Sequence, residues 1–208
     1  MPPALERNDP APGVAPDDRR LAEVLAAASR GDEGAWREIV DLYARRVFAL
    51  VHSRCRQPDL AEEVTQSVFV TVAGKLSGGG YTERGRFESW LFRVAMNRTR
   101  DEMRRLTRQA TPTDPVSVAA AVDRARENAE RTGDDGLLDS LRQALSNLPE
   151  ADREVVELRH HGGLSFRQIA DLLGEPMGTL LARHHRALRK LRSMIEHDAH
   201  ANDDGKTR

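Results

Sequence analysis

The sequence predicts an all-α protein: two small helical domains joined by a flexible acidic linker, the second containing a helix-turn-helix. Apolar residues recur at offsets of three and four along most of the chain, which is the spacing of one helix face. This periodicity is lost between residues 109 and 136, where six acids stand against three arginines. The 208 residues are 39% hydrophobic and only 4% aromatic, a composition typical of small helical domains with thin cores.

Composition excludes several classes of protein. The single cysteine, Cys55, excludes an internal disulfide framework and any multi-cysteine zinc site, and we expect it to fill a gap between helices. The chain has no run of 18 apolar residues and no signal-peptide pattern at its start, so we expect a cytoplasmic protein. Net charge is −1, so any nucleic-acid site must arise from local segregation of charge.

The first predicted domain spans residues 19–108 and follows a disordered extension, residues 1–18, which holds five of the ten prolines. Its first helix runs from about Arg19 to Ser29 and ends at Gly31, and Asp32 is the expected N-cap of the second. The second helix is about five turns long. Its apolar face carries Trp36, Ile39, Val40, Tyr43, Val47, Phe48 and Val51.

A third helix starts at Pro58 and Asp59, and its apolar residues repeat every four positions from Leu60 to Val72. The predicted polar side of this helix carries Glu62, Glu63, Thr65 and Gln66. A loop from Ser77 to Gly85 follows. Because its three consecutive glycines are costly to order, we expect the loop to be mobile or shaped by a partner.

An arginine-rich helix follows this loop. Between Arg84 and Arg108 there are eight arginines and three acids, a local charge of +5, interleaved with three aromatic residues, Phe87, Trp90 and Phe92. Cations bind phosphates and rings stack on unpaired bases, so this pattern suits single-stranded or distorted nucleic acid. The alternative interpretation is that these rings are core residues. We expect this to be true of at least one of Phe87 and Trp90.

The second predicted domain, residues 137–195, follows the linker of residues 109–136, whose charge is −3. Leucines from Leu137 to Leu148 form one amphipathic helix, and Ala151 to His160 form another. Gly162 and Gly163 then lead into two helices joined by a tight turn. The polar tail, residues 196–208, is expected to fray.

The last two helices have the signature of a helix-turn-helix. Ser165 and Gln168 form a capping box, while Gly174 and Pro176 end the first helix. The second helix, from Thr179 to Leu191, has an apolar stripe of Leu180, His184, Ala187, Leu188 and Leu191. Between residues 183 and 192 it carries five cations and no acid, which favours DNA binding. The alternative is an amphipathic bundle helix with a solvated cationic face.

Three blocks in order, residues 61–72, 87–105 and 145–192, resemble bacterial RNA polymerase sigma factors of the sigma-70 family. The length of the chain and its two-domain plan resemble the extracytoplasmic-function (ECF) group. The resemblance implies core RNA polymerase, promoter DNA and an anti-sigma factor as partners. It implies neither catalysis nor a cofactor nor a metal.

The resemblance also assigns roles to residues. It implies that the first domain binds core polymerase through Glu62, Glu63, Thr65 and Gln66. It implies contacts to the melted minus-10 element from Arg84, Arg86, Trp90, Arg93, Asn97, Arg98, Arg100, Arg104 and Arg105, with the glycine-rich loop at a flipped base. It implies that the second domain reads the minus-35 element with Ser165, Arg167, Met177, Gly178, Thr179, Leu181, Ala182, Arg183, His185 and Arg186.

Some positions depart from the family pattern. Where the family often has Gly-Thr-Val-Lys-Ser-Arg, this chain has Gly-Thr-Leu-Leu-Ala-Arg at 178–183. The expected DNA-facing side of the recognition helix therefore lacks a cation and a hydroxyl. We expect Leu181 and Ala182 to contact thymine methyls, or the domain to bind its element weakly. His184 replaces a leucine and is expected to be a boundary residue. Leu60 and Ser67 stand where the family often has acids.

Three other functions compete with a promoter-specificity subunit. A stand-alone helix-turn-helix regulator would have no clear use for the first domain's polar face and arginine helix. An enzyme would need a nucleophile and base, a phosphate loop or metal-ligand spacing, and the sequence shows none of these motifs. A sigma-like scaffold that only titrates a regulator would account for the altered recognition helix.

Overall fold

The structure is a computed structural model, and it describes residues 18–109 and 135–204. Those ranges contain eight helices and no strand, which confirms the predicted all-α fold. The helices are α1 (Asp18–Ser29), α2 (Glu33–Cys55), α3 (Pro58–Ser77), α4 (Phe87–Gln109), α5 (Asp135–Ser146), α6 (Glu150–His160), α7 (Phe166–Leu173) and α8 (Met177–Asp204). All of the predicted N-terminal extension except Asp18, and nearly all of the predicted linker, lie outside the described residues.

The described residues fall into two compact units. The first contains residues up to 102 together with 157–177, and the second contains 103–156 together with 178 onward. Both α4 and α6 therefore contribute residues to each unit. The domain boundaries at 19–108 and 137–195 were inferred from the sequence pattern and remain a prediction.

The first unit is built on α2, whose buried residues recur at the helical period. Ile39, Tyr43 and Val47 are fully buried, and Leu91 of α4 is equally inaccessible. The start of α2 follows the sequence prediction, since the Asp32 carboxylate accepts a hydrogen bond from the backbone N–H of Ala35 at 2.8 Å.

The predicted position of Cys55 is also confirmed. Its side chain is buried, and its Sγ donates to the carbonyl of Gln57 at 3.4 Å. Burial raises the pKa of the Cys55 thiol, which keeps it protonated and disfavours a reactive role.

The core of the second unit joins α5, α6 and α8. It consists of Ala144, Leu148, Val156, Ala187 and Leu191, with Leu145, Met194 and Ile195 packed against it. One detail of α8 differs from the prediction. Leu188, placed on the apolar stripe, is 41% exposed because it lies one position past the buried Ala187. In addition, α8 continues past Ile195 to Asp204, and this segment contains no glycine or proline before that residue. The expected fraying of the tail remains a prediction.

Candidate nucleic-acid interface

The outer face of α3 is the first exposed polar surface. Glu62, Glu63 and Gln66 are exposed, and one turn further on Val70 is 73% exposed. Thr65 does not belong to this face, and its predicted exposure is wrong. It is 8% exposed because it lies four residues after the fully buried Ala61 and so points to the core.

Most of the arginines predicted on α4 line its solvent side. Asn97, Arg98, Arg104 and Arg105 are exposed, while Arg100 is half-buried. The Arg98 guanidinium donates to the hydroxyl of Thr71 at 2.9 Å, and this contact ties the basic face of α4 to α3. The opposite side of α4 is apolar and buried, with Phe87, Phe92 and Met96 at 1% exposure or less. Phe87 and Phe92 are therefore core residues and unable to stack on a base.

The loop before α4 is held by its own side chains. The Tyr81 ring lies 4.4 Å from that of the half-buried Trp90 and 5.7 Å from that of Phe87. The Tyr81 hydroxyl donates to Glu83 at 2.8 Å, and the same carboxylate accepts from the backbone N–H groups of Gly85 and Arg86. Burial and this hydrogen bond raise the pKa of Tyr81 well above its ordinary value, so the phenol stays neutral.

The cluster of Tyr81 and Trp90 gives the loop a fixed aromatic surface at the start of α4. The two predicted loop arginines, Arg84 and Arg86, are both exposed beside it. Gly79 and Gly85 have positive φ values of 68° and 70°, so glycine is the residue type that fits these turns. Aromatic rings and exposed cations close together in the chain are the groups that stack on bases and bind phosphates of single-stranded nucleic acid.

The capping box of α7 is confirmed. The Ser165 hydroxyl accepts from the N–H of Gln168 at 3.2 Å, and the Gln168 side chain accepts from the N–H of Ser165 at 2.8 Å. Gly174 ends α7 in the left-handed conformation, with φ 72°. The N-capping hydroxyl of Ser165 is thus engaged within the chain, and Arg167 beside it is exposed.

The first turns of α8 present several of the predicted minus-35 residues to solvent. Met177 is 52% exposed and Leu181 is 43% exposed, with Gly178, Thr179, Ala182 and His185 exposed around them. Leu180 on the other side of the helix is fully buried. His184 is half-buried, as a boundary residue should be.

Arg186 differs from the other predicted DNA-contacting residues because it holds a buried carboxylate. Its Nε and Nη2 donate to the two oxygens of Asp152 at 3.1 and 2.9 Å, and Asp152 is 4% exposed. This bidentate pair holds the pKa of the Asp152 carboxyl below its usual range, with a smaller contribution from the charge of Arg183. Arg186 therefore also orients α8 on α6.

We expect the Asp152→Asn variant to lose part of the acid sensitivity of the fold. A depressed folded-state pKa contributes stability that is present above the unfolded value of about 3.9 and is lost as pH falls through the folded value. The unfolding free energy of the variant should therefore be lower than that of wild type near neutral pH, and the two should converge at acid pH. Urea titrations across this range measure it, with the exposed Asp41→Asn as the control.

A group of contacts that the sequence did not predict joins α4 to α7 inside the first unit. Glu88, only 6% exposed, accepts from Nη1 of Arg46 at 2.7 Å and from the amide of Gln168. Nη2 of Arg93 donates to the carbonyls of Asp171 and Leu172, each at 2.8 Å. From the sequence alone, acids and arginines at such positions are expected to be solvated. Only the tertiary fold brings these residues together, because they are far apart in the chain.

The described residues lack two further kinds of site. Within residues 18–109 and 135–204, no group of three or more histidine, cysteine, aspartate or glutamate side chains is placed to hold a metal ion. Across the same residues no helix has the length and hydrophobicity that crossing a membrane requires.

A helix-turn-helix preceded by an arginine-lined helix with an aromatic corner defines an all-α DNA-binding transcription protein. The sigma-70 region 2 family matches residues 39–109, and the sigma-70 region 4 family matches residues 138–191. The chain belongs to the ECF group of the sigma-70 family of RNA polymerase sigma factors. This confirms the predicted family and a promoter-directing function, and it disfavours the stand-alone regulator.

The relatives cover most of the chain. The ECF RNA polymerase sigma factor SigE of Mycolicibacterium smegmatis is 32% identical over 92% of this chain and 74% of its own length. The ECF factor SigW of Bacillus subtilis is 25% identical over 82% of this chain and 94% of its own.

Solved structures share the fold. CnrH, solved in complex with the cytosolic domain of CnrY, is 23% identical, with a TM-score of 0.63 over 88% of this chain and 99% of that one. RpoE of Bartonella quintana, solved with the anti-sigma factor NepR, is 21% identical, with a TM-score of 0.57 over 77% and 96%.

Proposed function

We propose that the outer face of α3 binds core RNA polymerase through Glu62, Glu63 and Gln66. The observation that supports this assignment is the exposure of all three side chains on one helix face, with Val70 exposed in line with them. An acidic rim around one apolar side chain is a surface that a basic partner helix can cover. Thr65 is left out of this surface because it is buried.

The α4 helix holds the melted strand of the minus-10 element. Arg98, Arg104 and Arg105 neutralise its phosphates, Asn97 lies among them for a polar contact, and the ring of Trp90 supports a base beside the loop. The separation of the basic face of α4 from its buried apolar face supports this role, because phosphate contacts need cations that solvent can reach.

The start of α8 reads the minus-35 element. Thr179, Leu181 and Ala182 lie exposed on the first turns, where a recognition helix contacts base edges and thymine methyls. The pairing of Arg186 with Asp152 makes Arg186 a positioning residue as well as a phosphate contact. An anti-sigma factor is a further proposed partner, since the structural relative RpoE was solved with one.

In this scheme the protein acts in the cytoplasm as a specificity subunit without catalysis of its own. Run-off transcription by core polymerase from a library of promoter fragments tests the proposal. The expected result is initiation at one promoter class that depends on the added chain. Absence of such initiation, with DNA binding intact, would contradict it.

The Arg98→Ala, Arg104→Ala double variant is expected to weaken binding to melted DNA uniformly across sequences. Loss of two phosphate contacts should make the slope of log affinity against log salt shallower by about 1.4, since each contact to a single strand contributes about 0.7. Fluorescence titration of a preformed promoter bubble by the polymerase holoenzyme, repeated at several salt concentrations, measures the slope. An Arg37→Ala variant, altered at an exposed arginine of α2, is the control and should leave the slope unchanged.

A further inference from the structure

The exposed side of α8 is apolar near its start, where a recognition helix would meet base edges. Leu181 is 43% exposed, and Ala182 is exposed beside it. Neither side chain has a hydrogen-bond donor or acceptor, so neither can pair with the polar edge of a base. An exposed leucine at this position therefore needs an apolar group on the DNA as its partner.

Contacts within the second unit fix the side of α8 that faces outward. Ala187 and Leu191 pack in the core of that unit. Arg186 is paired with the buried Asp152 through two hydrogen bonds, at 3.1 and 2.9 Å. With these anchors in place, α8 cannot rotate to bury Leu181, and the leucine stays available to a partner.

The charge around this apolar surface matches duplex DNA. From Pro176 to Ile195 the chain contains no acid, and the five cations already described lie between residues 183 and 192. Such cations bind the phosphates that border the major groove. Inside that groove, the apolar group that unmodified bases present is the C5 methyl of thymine. Guanine, adenine and cytosine present hydrogen-bonding groups there, and an apolar contact would leave those groups unsatisfied.

We propose, on the basis of the proposed minus-35 role of α8, that Leu181 and Ala182 recognise the C5 methyl group of a pyrimidine in that element. Leu181 covers the methyl group, and the small Ala182 leaves space for the base edge to approach the helix. Because 5-methylcytosine carries the same methyl group at the same place in the groove, the surface accepts thymine or 5-methylcytosine. Promoter affinity then depends on cytosine methylation as well as on sequence.

The experiment uses the full chain bound to core polymerase and duplexes with random sequence upstream of the melted region. Selection by binding first defines the upstream element. Each pyrimidine position of that element is then occupied in turn by thymine, uracil, cytosine or 5-methylcytosine, and affinity is measured by fluorescence titration. Thymine differs from uracil only by the C5 methyl group, and so does 5-methylcytosine from cytosine. Each pair of duplexes therefore isolates the methyl contact.

We expect thymine to be bound about fourfold more tightly than uracil at the contacted position, the effect of burying one methyl-sized group. 5-Methylcytosine should exceed cytosine by the same factor. The Leu181→Lys, Ala182→Ser double variant should lose both preferences and select guanine instead, because lysine donates to guanine O6 and N7. Leu188→Lys is the matched control. It replaces another exposed leucine by a cation about 10 Å further along α8 and should keep both preferences.

The two pairs of duplexes also identify the source of the methyl group. A preference in both pairs shows that the surface recognises the methyl group on either base. A preference for thymine over uracil alone supports the methyl contact and limits its source to thymine. If neither pair differs at any position, the inference is wrong, while the proposed minus-35 role stands on the selected element. If the double variant then also fails to co-elute with core polymerase, Leu181 and Ala182 belong to a protein interface.

The same duplexes, offered to the full chain without polymerase, separate this inference from the proposed function. A methyl preference of the chain alone, with no promoter-dependent initiation by core polymerase, would keep the inference and contradict the proposed function. If no upstream element is selected with or without polymerase, α8 does not recognise bases, and both the inference and the minus-35 assignment fail.

Discussion

The Glu62→Arg, Gln66→Ala double variant is expected to elute separately from core RNA polymerase on gel filtration, under conditions in which the wild-type chain co-elutes. Both side chains are exposed on α3, so the substitutions leave the core of the first unit intact. The Glu62→Arg change removes an acidic contact and places a cation against the basic partner. The Gln66→Ala change removes the polar side chain one turn further along the helix. Breaking a buried interfacial charge pair costs about 2–5 kcal/mol, which corresponds to about 30-fold or more in affinity.

The matched control is Asp41→Arg, which makes the same charge reversal at an exposed position of α2. This variant should co-elute as wild type does. If the double variant also co-elutes, the polymerase-binding surface lies elsewhere on the chain. If not even the wild type co-elutes while the protein shifts duplex DNA, the polymerase-binding assignment itself fails.

Features set by local sequence were predictable here. Helix caps depend on residues within one turn of each other, so Asp32, the Ser165 and Gln168 pair, and Gly174 could be assigned from spacing alone. The same holds for the exposed polar residues of α3 and α4, because the helical period places residues three and four apart on one face.

Errors arose where a residue lies at the edge of a helix face. Thr65 is polar by type but follows Ala61 by four residues, and burial of its face outweighed its polarity. Leu188 is apolar but lies beside the stripe that packs in the second unit, so it is 41% exposed. A period of 3.6 residues leaves such borderline positions undetermined until the neighbouring helix is known.

The buried charges were beyond prediction for a different reason. Arg46 and Glu88 are 42 residues apart in the chain, and Glu88 and Gln168 are 80 apart. A charged residue in a sequence is normally solvated, and only tertiary packing reveals that a distant partner compensates its burial. The α4–α7 contact is therefore a product of the fold that no local pattern encodes.

The Glu157→Gln variant is expected to lose about 3–5 kcal/mol of unfolding free energy, the largest stability effect of a conservative change that we anticipate. Glu157 of α6 pairs with Arg54 of α2 at 2.7 Å, and the two side chains are only 3% and 7% exposed. The substitution keeps the size of the side chain but removes the carboxylate charge of Glu157 from the buried guanidinium of Arg54. At this chain length the loss corresponds to a fall of about 10 °C in melting temperature.

Glu33→Gln provides the comparison, because Glu33 pairs with Arg37 at 3.2 Å but both side chains are more than three-quarters exposed, at 85% and 76%. Solvent screens that pair, so its loss should cost about 0.5 kcal/mol or less. Urea denaturation followed by circular dichroism measures both variants under one set of conditions. If Glu157→Gln and Glu33→Gln lost the same small amount of unfolding free energy, water would reach Arg54 in the Glu157→Gln variant. The burial of this pair would then not determine the stability of the first unit.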